Sequence, residues 1–224
     1  MRKPYDYREL SPKTLTQPRY RHLFLALGWI GYFLMYVLTE NLIPLERCAP
    51  IHCGLDDLIP FCEYFAVFYV GWYALVFFSL LYTLIFKVES FKGIQKYIII
   101  TQIVAMICYI FWPSRQDLRP EQFPRENLFT WLMGVIYTVD TPTGVCPSLH
   151  VGYSLGVLSA GLKDRELKPV WKALLTFVVV MISVSVCFVK QHSALDVLFA
   201  LPMCLLAEVL VYGRSYWLPR LRKQ

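Results

Sequence analysis

The sequence predicts an all-α fold, a polytopic membrane helix bundle with about six transmembrane helices, and three observations carry that reading. The 224-residue chain is 57% hydrophobic and only 17% charged, against roughly 25% charged residues in soluble domains. Apolar windows at 23–40, 61–86, 94–112, 146–162, 171–189 and 195–213 approach or reach the roughly 20 residues that cross a hydrocarbon layer. The basic residues are asymmetric: of 22 Lys and Arg, 17 fall in the N-terminal arm, the second and fourth connections and the tail, leaving Arg47, Arg115, Arg119, Arg125 and Lys190 elsewhere. By the positive-inside rule this is a multi-pass protein of the cell membrane, with both termini cytoplasmic and the odd-numbered connections outside.

Residues 1–22 form a basic cytoplasmic arm punctuated by Pro4, Pro12 and Pro18, a flexible or surface-lying segment rather than a domain. The first apolar run follows without a small-x-small cleavage pattern, which fits a retained signal anchor. The connection 40–60 is acidic and ends in Asp57-Leu58-Ile59-Pro60-Phe61, turning the chain into a second span with Phe65, Phe68, Tyr69, Trp72 and Tyr73 at helical spacing. Those rings either face lipid and its interface or line an acyl-chain groove. In the long connection 113–145, the stretch 127–139 presents Leu128, Trp131, Leu132, Val135 and Ile136 in the pattern of a helix lying on the outer membrane surface. The fourth span is the shortest. Its Ser148, Gly152, Gly156 and Ala160 recur every four residues, a small-residue stripe that lets helix backbones approach. Residues 23–213 therefore read as one six-span membrane domain, followed by a cytoplasmic tail, 214–224.

Cys48, Cys53 and Cys62 lie in or beside the first outer connection, either as a disulfide pair and a thiol or as free thiols. Cys108, Cys146, Cys187 and Cys204 sit in or at the ends of spans as small apolar residues. No Cys/His spacing points to a metal site. The net charge of +6 is accounted for by topology, so nucleic acid is not an expected partner.

The chemistry concentrates where apolar segments meet outer loops. His192 and Asp196 are four apart at the start of the last span, so on a helix their side chains share a face. A carboxylate on one imidazole nitrogen fixes the tautomer and frees the other nitrogen to attack or to take a proton. His150 follows Pro147-Ser148 at the start of the fourth span, and Arg119, Lys190 and Asp140 fall at the same boundary. A lone interfacial His is commonly just a polar residue reaching water, Asp140 and Glu63 read as solvated loop-edge charges, and Glu208, about 18 Å along the last helix from Asp196, as a pairing residue. Together, however, two histidines, fixed cations and a helix N-terminus supply what metal-free phosphoryl transfer requires: a nucleophile, a general acid, and donors for the equatorial oxygens. Ser148 would contribute both its hydroxyl and its N–H to that cradle.

Arg119-Pro120, Pro147-Ser148-Leu149-His150, and Ser185 followed by His192 and Asp196 resemble the three-part signature of the type 2 phosphatidic acid phosphatase superfamily. Asp140-Thr141-Pro142-Thr143, Lys190-Gln191-His192 and Asp57-Leu58-Ile59-Pro60-Phe61 resemble its branch related to inositolphosphorylceramide synthases. The resemblance implies His192 as nucleophile, Asp196 as its orienter, His150 as general acid, and Arg119 and Ser148 as phosphate ligands, with no metal and no cofactor. Trp112 and Val186 stand where the family pattern has Lys and Arg, so Arg115 and Lys190 are the expected replacement cations; Leu149 replaces a Gly. The expected function is a lipid phosphatase acting on a membrane lipid phosphate monoester or pyrophosphate through a phosphohistidine, with its site at the extracytoplasmic face. The alternatives are a phosphotransferase moving a phospho-headgroup between lipids and, favoured by the Trp112 and Val186 departures, a non-catalytic transport or scaffold protein.

Overall fold

The computed structural model describes residues 3–222. Apolar runs placed in hydrocarbon must satisfy their own backbone polar groups, and these do so as helices. In chain order they are α1 (Leu27–Leu42), α2 (Gly54–Leu58), α3 (Ala66–Phe86), α4 (Val88–Phe111), α5 (Leu128–Val139), α6 (Leu149–Lys163), α7 (Pro169–Phe188), α8 (Ala194–Tyr212) and α9 (Leu218–Leu221). Extended structure among the described residues is confined to β1 (Ala49–Pro50), parallel to β2 (Ser114–Arg115), and an isolated bridge from Arg115 to Thr143. The fold is an all-α bundle.

Among the described residues five helical runs, Arg21–Leu42, Glu63–Phe86, Val88–Phe111, Pro169–Phe188 and Ala194–Leu221, are long and apolar enough to cross a membrane, as in a multi-pass membrane protein. The fourth window differs. Its helix α6 has 15 residues, a rise of about 22 Å against a hydrocarbon core of about 30 Å. It begins after Ser148 rather than at residue 146, because Pro147 and the extended Ser148 end the preceding loop. Packed on α3, α4, α7 and α8, α6 meets helices on most sides instead of lipid, which explains how it carries glycines and serines. Helix α4 starts six residues earlier than its apolar window, because Glu89 and Lys92 are adequate helix formers outside the hydrophobic pattern.

The small-residue stripe sets the spacing around α6. A Cβ on Gly156 would lie 2.8 Å from Tyr97 Cδ1, and one on Gly152 would lie 3.1 Å from Met203 Cε. Tyr97 cannot yield easily, since it is buried and its hydroxyl donates to the Cys204 carbonyl at 2.9 Å. Gly156→Leu is therefore expected to cost about 1–3 kcal/mol, the usual penalty for overpacking, and to lower the thermal midpoint measured in detergent. An unchanged midpoint would contradict this account of the α4–α6 contact.

The N-terminal arm packs against the bundle. Tyr5 N–H donates to the Ile85 carbonyl at 2.7 Å, the Tyr7 hydroxyl donates to the Leu84 carbonyl at 2.9 Å, and Tyr20 is fully buried. At the same end Lys87 pairs with Asp164 and, at 3.3 Å, with Glu166, while Lys163 pairs with Glu208 at 2.6 Å. The arm and the α3–α4 and α6–α7 connections thus gather at one end of the bundle. The segments 43–65, 112–148 and 189–193 form the other.

Candidate active site

The turn between α7 and α8 builds the first half of the site. Lys190 adopts φ 53°, the left-handed conformation that reverses a chain leaving a helix. The N–H groups of Gln191 and His192 then return to the Val186 carbonyl, each at 3.0 Å. Ser193 opens α8 with a reciprocal cap: its Oγ accepts from Leu195 N–H, and the Asp196 carboxylate accepts from Ser193 N–H at 3.0 Å. The same Asp196 Oδ2 lies 3.1 Å from His192 Nδ1. Asp196 is 0% exposed and His192 only 8%. One carboxylate therefore both starts the helix and fixes the imidazole, leaving His192 Nε2 as the nitrogen available for chemistry.

The start of α6 supplies the second half. Ser148 N–H donates to the Asp196 backbone carbonyl at 3.1 Å, and the Tyr109 hydroxyl donates to the Pro147 carbonyl at 2.8 Å. These bonds seat His150 beside His192, with ring centroids 5.5 Å apart at 69°. His150 is also stacked on Tyr69 at 4.6 Å and packed against Trp72 at 4.3 Å. Of seven buried side-chain polar atoms without a hydrogen-bond partner among the described residues, four belong here: Ser148 Oγ, His150 Nε2, Trp72 Nε1 and Asp196 Oδ1. Unsatisfied buried polar atoms are costly, so their concentration at one point makes it the candidate functional site. Ser148 can offer its hydroxyl, but the N–H expected to join it is already committed to Asp196.

The expected cations separate. Arg119 is held at the site: Nη2 and Nε donate to Gln191 Oε1 at 2.6 and 3.2 Å, Nη2 also donates to the Asp140 carbonyl at 2.9 Å, and Nη1 donates to the Tyr137 carbonyl at 3.1 Å. Its guanidinium lies 4.7 Å from the centre of the Tyr137 ring. Lys190 and Arg115 are corrections to the sequence reading. Lys190 Nζ, beyond the left-handed turn, is taken up by the carbonyls of Asp56 and Ile59. Arg115 is drawn away to the Asp117 carboxylate at 3.1 Å and the Leu45 carbonyl at 3.2 Å.

Two further charges depart from expectation. Glu63 is 1% exposed, accepting from Asn127 Nδ2 at 3.1 Å and pairing with Arg125 at 3.4 Å. Asp140 is partly buried, accepting from Gln191 Nε2 at 3.3 Å, Tyr69 at 3.4 Å and Tyr36 at 3.5 Å. Burial draws its carboxyl above the ordinary range, while His192, Arg119 and the two tyrosines oppose that shift.

Asp56, Gln191, Tyr69 and Trp72 complete the site, and sequence reasoning assigned no role there to Asp56 or Gln191. Asp56 accepts from Ser193 Oγ at 2.5 Å and from the N–H groups of Ala194 and Cys53, each at 2.8 Å. Burial alone would raise its pKa; these donors hold it below the ordinary value instead. The Ser193-x-x-Asp196 spacing was a readable capping signal, whereas nothing local in the sequence brings Asp56 to α8. The thiols of Cys48, Cys53 and Cys62 are free.

Beside the two imidazoles lies a cavity of about 350 Å³, walled by rings of α1, α3, α4 and α6 and by the loop from Asp140 to Val145. Glu40 on α1 fixes that loop by accepting from the hydroxyls of Thr141 and Thr143. Chemically, the arrangement offers an oriented nucleophilic nitrogen, a second imidazole within reach of a leaving group, an unpaired hydroxyl and a guanidinium. No family model, curated protein or solved structure matches this chain.

Proposed function

We propose that the chain is a membrane enzyme that transfers the phosphoryl group of an amphiphilic lipid, with hydrolysis to water as the primary reaction. The observation that carries this reading is the His192–His150 pair, 5.5 Å between ring centroids, with Asp196 on Nδ1 of the first and an unpartnered Nε2 on the second. His192 Nε2 attacks phosphorus, forming an N–P bond as the P–O bond to the lipid alkoxide breaks. His150 gives that alkoxide its proton. In the second half, His150 takes a proton from water, whose oxygen displaces His192 and releases phosphate. Ser148 Oγ and Arg119 hold the equatorial oxygens, Arg119 by exchanging Gln191 Oε1 for a phosphate oxygen. The positive-inside asymmetry supports cytoplasmic termini and an extracytoplasmic site.

Transfer to a second lipid is the alternative that the aromatic cavity favours, since a wall of fixed rings next to the phosphorus site can hold a headgroup while the acceptor changes. A panel of lipid phosphates, assayed with purified protein in detergent containing chelator, tests the reading. Phosphate release or headgroup exchange is expected, inhibited by millimolar vanadate, which mimics five-coordinate phosphorus. Absence of both reactions across the panel would leave the transport or scaffold alternative standing.

A further inference from the structure

We propose that Asp56 is a positioning residue for His192, and that the short helix carrying it, α2, clamps the turn that bears the nucleophile; this rests on the phosphoryl-transfer reading above. His192 has no helix of its own. It lies in the turn between α7, which ends at Phe188, and α8, which begins at Ala194, so its aim depends on whatever fixes residues 189–193. The connection between α1 and α3 fixes them on both sides of the histidine. After it, Asp56 Oδ1 accepts from Ala194 N–H at 2.8 Å and Oδ2 accepts from Ser193 Oγ at 2.5 Å. Before it, Lys190 Nζ donates to the carbonyls of Asp56 and Ile59 at 2.8 and 2.5 Å, and the Phe188 carbonyl accepts from Cys62 N–H at 3.0 Å.

Each charge meets backbone groups that a helix end leaves unpaired. Asp56 takes the first N–H of α8, and Lys190 takes two carbonyls at the end of α2. Asp56 is 3% exposed and Ser193 is fully buried, so water does not compete for these charge-assisted bonds. With donors from Cys53, Ser193 and Ala194 already on it, the Asp56 carboxylate acts through its partners and not on substrate. Ser193 passes the constraint on, since its N–H donates to Asp196 Oδ2, the oxygen that lies 3.1 Å from His192 Nδ1. Asp56, Ser193, Asp196 and His192 thus form one chain of hydrogen bonds with the nucleophile at its end. Misplacing a reacting group by about 1 Å can cost about 10²-fold in rate, which is the scale of effect that a released turn would produce.

The test compares Asp56→Ala and Lys190→Met with the unaltered full chain in detergent, by nuclear magnetic resonance of protein isotope-labelled on the nitrogens of its four histidines and by turnover of p-nitrophenyl phosphate. The His192 signal, identified as the one lost in His192→Ala, is expected to show the Nδ1–H tautomer in the neutral unaltered protein. In both clamp variants it should become a mixture of tautomers. Their kcat should fall about 10–10²-fold, with KM changed by less than about twofold, and Lys190→Met carries the test if Asp56→Ala does not fold. Asp57, the neighbouring acid, is exposed and pairs with His52 at 2.8 Å, so Asp57→Ala should leave both readouts unchanged. A folded clamp variant that kept the tautomer and kcat of the unaltered protein and lost only thermal stability would overturn the proposal, leaving phosphoryl transfer in place. A raised KM at constant kcat would overturn it too. A tautomer shift in the variants, with no turnover of the aryl ester or the lipid panel by the unaltered protein, would support the clamp and overturn phosphoryl transfer.

Discussion

His192→Ala is expected to lower kcat by at least about 10⁴-fold, because removing a nucleophile from a cooperating set costs nearly the whole catalytic advantage. The helix should survive the change, since Asp196 keeps its bond to Ser193 N–H and Asp56 keeps its bonds to Ser193 and Ala194. A thermal midpoint close to that of the unaltered protein, measured in the same detergent, separates lost chemistry from lost fold. Normal turnover in the folded variant would remove His192 from the mechanism.

His150→Ala should cost about 10²–10⁴-fold on a lipid substrate, the range for losing a general acid, and the loss should depend on the leaving group. A lipid alkoxide needs a proton as the P–O bond breaks; the phenolate of p-nitrophenyl phosphate does not. The variant is therefore expected to retain much more of its activity on the aryl ester. An equal loss on both substrates would assign His150 to shaping the pocket, a role that its packing between Tyr69 and Trp72 could equally serve.

The helices were legible because lipid imposes one backbone solution on long apolar runs. α6 escaped the length rule because helices surround it, so protein contacts replace the lipid that sets the usual length. The spacing of His192 and Asp196 brought the two together by another route than a shared helix face: α8 starts only at Ala194, and His192, in the turn before it, meets Asp196 through the cap at Ser193. Lys190 defeated spacing: two positions from His192 suggested a shared site, but its Nζ, beyond the left-handed turn at φ 53°, is taken up by the carbonyls of Asp56 and Ile59. Arg115 was lost to a neighbour, Asp117, that offers a nearer carboxylate. Asp56 was invisible for the opposite reason. Its partners are Ser193 and Ala194, more than 130 positions away in the chain, and no local pattern encodes a contact of that range. Asp140 and Glu63 looked solvated because isolated acids in loops usually are; each instead found several donors once the loops folded over the bundle.

The two imidazoles define the account, and trapping the intermediate tests them most directly. Enzyme mixed with phosphorus-labelled lipid and quenched in alkali, where N–P bonds persist, should carry label on the peptide containing His192, and the label should vanish in His192→Ala. Steady turnover with no label on any histidine, or label on His150 with His192 unmodified, would contradict it.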